Sequence, residues 1–120
     1  IRTIRTVFLT LSLLALPVNA VLACDAPAAP IVPDGDSASL EEMVAAQAGI
    51  KAFQESNAEY LKCVDEQMAT EKNLEDEGDE GAQERYALAA ADYNAAVSRE
   101  EQVAADFNTE IRAYKSANPD

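Results

Sequence analysis

Histidine and tryptophan are both absent from this chain, and only nine of its 120 residues are basic against 22 acidic. Without histidine, the Ser–His and Cys–His pairs of nucleophilic catalysis have no base. Metal sites built from imidazole and thiolate lose half their donors, with only two cysteines left to supply the rest. A formal charge of −13 provides no continuous basic surface to neutralise phosphates, which argues against nucleic acid as a partner and against anionic membrane surfaces. No apolar run reaches the ~20 residues that span a bilayer.

The first residues read as a secretory leader. Arg2 and Arg5 give a basic start, Val7 to Leu16 is an apolar stretch with two hydroxyl residues, and Pro17 breaks it. Cleavage is expected after Ala23 (Val21-Leu22-Ala23), with Ala20 (Val18-Asn19-Ala20) the other candidate. Removing residues 1–23 leaves seven basic residues against the same 22 acidic ones, a net charge near −15. The expected location is the periplasm or the exterior. What remains is one small domain with a modest core, and such domains often rely on a staple or a partner.

Residues 24–38 carry prolines at Pro27, Pro30 and Pro33, a spacing that favours polyproline II over helix or sheet. This predicts an extended arm, and Ile31 and Val32 suit an arm packed along the domain better than a bare linker. Helix 1 is predicted over 39–77. Ser39-Leu40-Glu41-Glu42 fits the capping box, and Leu40, Met43, Val44, Gln47, Ile50, Phe53, Asn57, Tyr60, Leu61, Val64, Met68 and Leu74 recur at three and four. The charged, glycine-containing stretch around 78–81 predicts a turn, held open by repulsion among its carboxylates. Helix 2 is predicted over 82–116, with Tyr86, Tyr93, Glu100, Phe107 and Tyr114 spaced by seven among small residues. Two helices of matched length joined by a short turn must run antiparallel. The fold class is therefore all-α: a long, coiled-coil-like two-helix hairpin, 39–116, with an extended proline-rich N-terminal arm.

A turn centred near Asp79 and Glu80 sets Phe107 near Ala52 and Phe53, Tyr93 near Glu66 and Gln67, and Ala96 near Cys63. The tyrosines read as core, filling space that alanine leaves. Glu100 reads as a seam residue within reach of Lys62.

Cys24 has two main readings. Cys63 lies about 35 Å along helix 1 from its start, and some fifteen extended residues cover ~45 to 50 Å, so the arm can fold back and pair Cys24 with Cys63. Two cysteines in an oxidising compartment are most simply a pair. The alternative is an acylated lipoprotein cysteine at the inner membrane, with Asp25 directing retention. The bulky Leu22 sits where a lipobox has a small residue, and acylation would strand Cys63 as a free thiol. The disulfide is the preferred reading.

Cys24, the proline-spaced arm ending Pro33-Asp34-Gly35, the Ser39-Leu40-Glu41-Glu42-Met43 helix start and Tyr60-Leu61-Lys62-Cys63 resemble a group of small secreted helical proteins of proteobacteria. The resemblance covers 24 to about 64. It implies the arm and the Cys24–Cys63 pairing, and no activity.

Glu75, Asp76, Glu77, Asp79 and Glu80 place oxygen ligands around a glycine turn, a minor candidate for a hard cation, although a charge run is usually a solvated tip. Paired carboxylates do acid–base work only in a cleft that raises one pKa, and a narrow hairpin seam offers none. The chain is therefore expected to be non-enzymatic, without cofactor, and to act through an unknown protein partner or as a homo-oligomer. Self-association is expected because Met43, Ile50, Phe53 and Tyr60, with Ile111 and Tyr114, form a wider apolar face than one partner helix shields. Charge repulsion would make such a dimer stronger at high salt.

Overall fold

The computed structural model of the chain describes residues 24–120. The leader reading, with its cleavage candidates Ala20 and Ala23, lies outside the described residues. Among the described residues two helices make up the regular structure, α1 (Leu40–Asp76) and α2 (Ala82–Ala117), packed as an all-α hairpin. At ~1.5 Å per residue each is about 55 Å long. No helix among the described residues is long and apolar enough to cross a membrane.

The helix start is the one the sequence encodes. The Glu42 amide donates to Ser39 Oγ at 3.1 Å, and the Ser39 amide donates to Glu42 Oε2 at 2.7 Å, which satisfies two otherwise unpaired amides. α1 ends in a Schellman cap. The Asp79 amide donates to the Leu74 carbonyl and the Gly78 amide to the Glu75 carbonyl, with Gly78 at φ +93. Asn118 closes α2 by donating both its backbone and side-chain N–H to the Tyr114 carbonyl.

Burial recurs every seven residues on both helices, at Met43, Ile50, Asn57, Val64 and Glu71 on α1 and at Ala82, Ala89, Ala96 and Val103 on α2. Alanines on α2 let the helices approach closely. The larger side chains gather towards the open end, where Met43, Ile50, Phe53, Val103 and Phe107 form one cluster, joined by Val32 and Ala38 from the arm and its turn. Tyr86, Tyr93 and Tyr114 are half-buried along the seam.

Three expectations need correction. The facing pairs are only partly those expected: Phe53 and Phe107 share one cluster, but Ala96 is met by Asn57, six residues before Cys63, and Glu71 is met by Arg85, three residues before Leu88. With α1 ending at Asp76 and α2 starting at Ala82 the turn is centred at Asp79, and the Asn57 and Arg85 side chains reach along the seam to partners that do not lie straight across from them. Glu100 takes its hydrogen bond from Asn57 Nδ2 at 3.4 Å, not from Lys62. Met43, Ile50 and Phe53, expected on the face that a second copy would cover, are buried within a single chain, packed with Val103 and Phe107 and with Val32 and Ala38 of the arm and its turn.

Candidate functional site

The arm is fixed at both ends. At one, Cys24 is bonded to Cys63 with the Cα atoms 5.8 Å apart. A sulfur so bonded has no valence left for a thioether lipid, and the pairing points to an oxidising compartment. At the other end, Gly35 is buried against the backbone of α2 and its amide donates to Glu110 Oε2 at 2.7 Å. An Asx turn follows, with the Asp36 amide on Asp34 Oδ1 and the Ala38 amide on the Asp34 carbonyl. It reverses the chain into Ser39. The arm thus runs back along one face of the hairpin, from the middle of α1 to the last turns of α2.

The turn end carries the strongest ion pairing. Arg85 Nε donates to Glu71 Oε2 at 2.9 Å, while its Nη2 lies 3.2 Å from Asp79 Oδ2. Asp79 Oδ1 accepts the Gly81 amide at 2.9 Å. That N–H, and then Arg85, hold the Asp79 carboxyl below its ordinary value, and Asp79 in turn raises Arg85. Lys72 pairs with Glu75 and approaches Asp76, and Glu75 raises its pKa. The expected repulsive tip is therefore partly neutralised by two cations reaching in from the helices. Among the described residues no group of three or more acids or cysteines converges as a metal site, and Glu75, Asp76, Glu77, Asp79 and Glu80 do not come together as one cage. Glu71, buried in this network, was missed in the sequence because it reads there as one more member of an acidic stretch.

In mid-hairpin, Asn57 is fully buried. Its Nδ2 donates to the Ala96 carbonyl at 3.2 Å and to Glu100, while Oδ1 has no partner. Along the seam Tyr86, Tyr93 and Tyr114 are half-buried, and Tyr114 packs against the core cluster.

The face opposite the arm is open. Helical phase places Leu40, Val44, Gln47, Lys51 and Gln54 of α1 alongside Ala104, Asn108, Ile111 and Lys115 of α2. Met43, Ile50 and Phe107 lie beneath. Leu40 is 62% and Val44 57% exposed. No aspartate or glutamate lines this groove. Three other surface clefts among the described residues carry carboxylates: Asp34, Asp106 and Glu110 in one, Glu66 and Glu71 in another, Asp25 and Glu59 in a further one.

No family model, curated protein or solved structure matches the chain.

Proposed function

We propose that this chain is a periplasmic, non-enzymatic contact protein: a strapped helical hairpin that works by presenting its surface to another protein. The observation that carries the reading is the apolar open end, where Leu40 and Val44 remain exposed beside the half-buried Ile111 and Tyr114 while Met43, Ile50 and Phe107 are buried beneath. Exposed apolar groups that adjoin one another, on a molecule otherwise dominated by charge, are a recurrent mark of interaction sites. The leader-like residues 1–23 and the Cys24–Cys63 bond support the compartment. Both sulfurs are consumed in that bond and the chain has no histidine, which supports a role without nucleophilic chemistry.

Site-specific photocrosslinking in the cell that makes the protein tests the reading. A photoreactive residue at Val44, Leu88 or Ile31, all exposed, should yield a discrete adduct from at least one position in the osmotic-shock fraction. A chain found in the cytoplasm, or one that stays uncrosslinked from all three positions, overturns it.

A further inference from the structure

The two faces of the hairpin differ in what covers them. The arm occupies one, and its stem is held there by a covalent bond and a buried glycine. The other keeps an open groove with an apolar floor of Met43, Ile50 and Phe107. In a chain with 22 acidic residues, that groove is lined by two lysines, Lys51 and Lys115, and by no carboxylate. The charge carried by its lining residues is opposite in sign to that of the molecule.

We propose that this groove seats an amphipathic helix of another protein, with an apolar stripe flanked by acidic side chains, as the third helix of the bundle. The inference rests on the contact reading above and names the face and the chemistry of its partner. A helix laid between two others buries its i, i+3, i+4 and i+7 residues, and Leu40, Val44 and Ile111 offer the matching apolar rim. Lys51 and Lys115, about 15 Å apart along the axis by helix rise, then meet acids on either side of that stripe. At physiological salt the Debye length is ~8 Å, so these two lysines outweigh the distant negative turn. A second copy joined through the same groove would set each lysine against lysines with no carboxylate to pair them, a costly arrangement. A basic helix would be drawn by the net charge but repelled at the contact.

The test uses the disulfide-intact chain and two synthetic helices of about 20 residues, identical in their leucine stripe but flanked by glutamate in one and lysine in the other. Binding is read by fluorescence polarisation at ~0.15 M salt, and location by methyl NMR. The glutamate helix should shift the Val44 and Ile111 methyls and bind at least about ten-fold tighter than its lysine twin. The double variant Lys51→Glu/Lys115→Glu should reverse that preference, and Val44→Asp should abolish binding of both helices. All three positions are exposed, and circular dichroism confirms that the fold is kept. Equal or tighter binding of the lysine helix to the unaltered chain overturns the proposal. So does binding of neither helix, a response at Val32 and Ala38 on the arm side, or self-association that shields the groove. If the proposal fails while crosslinks still form from Leu88 or Ile31, the contact reading survives and moves to another face; if no position crosslinks, both fall.

Discussion

One hydrogen atom decides whether the arm can lie against α2. A Cβ on Gly35 would overlap the carbonyl oxygen of Glu110 and come within 2.8 Å of the Tyr114 amide, both backbone atoms that cannot swing aside. Gly35→Ala must therefore lift the arm or bend the helix, and should cost about 1–3 kcal/mol in urea unfolding with the disulfide still formed by mass spectrometry. Gly49 is the opposite case. It lies inside α1 with nothing within 4 Å of its would-be Cβ, so the same exchange, Gly49→Ala, should raise stability by about 0.5–1 kcal/mol. An unchanged or lower unfolding midpoint would contradict this. Asn57 exchanges stability for uniqueness in a different way, since its Oδ1 is buried without a partner. Asn57→Leu is expected to raise the melting temperature and to loosen the register that the amide specifies. The second effect should appear as doubled or broadened backbone NMR signals along α2, and single sharp signals would remove the register role.

At the scale of the element, the turn is where charge contributes to folding. Asp79 has its folded pKa lowered, first by the Gly81 N–H and then by Arg85. Its contribution is therefore full above the ordinary aspartate value of 3.8 and is lost as pH falls through the lower folded value. Arg85 is raised and stays charged across the whole accessible range. Lys72 is raised as well, so its contribution is complete at neutral pH and disappears only above 10.5. Thermal melts should accordingly show a loss of stability on acidification below about pH 4, and Asp79→Asn should flatten that segment of the profile. An Asn variant with the same acid slope as the unaltered chain would take Asp79 out of the account.

The whole molecule depends on the strap. Cys24 and Cys63 are 39 residues apart in sequence, and closing a loop of that length stabilises by up to about 4 kcal/mol in the chain-entropy model. Reduction, or Cys63→Ser, also frees Val32 and Ala38 from the apolar cluster at the open end. Both treatments should lower the melting temperature substantially, and both should increase binding of a dye that reports exposed apolar surface. A reduced chain that melts with the oxidised one would mean that the arm contributes nothing to the fold. Net charge near −15 after loss of residues 1–23 acts against compaction at low salt, so the reduced chain should be the more salt-sensitive of the two.

Local chemistry was enough to reveal the elements. The capping box at Ser39 and Glu42, the glycine in the acidic turn and the seven-residue spacing from Tyr86 to Tyr114 are signals between residues a turn or two apart. Short-range sterics and hydrogen bonding decide such features before the chain meets itself. Chain reach and an even cysteine count likewise made the Cys24–Cys63 bond legible, because the length of an arm and the rise of a helix are geometric constants. Contacts distant in sequence were decided only on folding. Gly35 looks like an ordinary turn glycine after Pro33 and Asp34, and its role depends on Glu110, 75 residues away. Glu71 looks solvated until the hairpin register brings Arg85 to it. The acid-free groove exists in neither helix alone: Leu40 to Gln54 contains Glu41 and Glu42, and Ala104 to Lys115 contains Asp106 and Glu110. Only the rotation of each helix about its axis, set by which side chains the core accepts, turns those acids away from the groove, Glu110 towards the arm, and leaves lysines and apolar groups facing the open side.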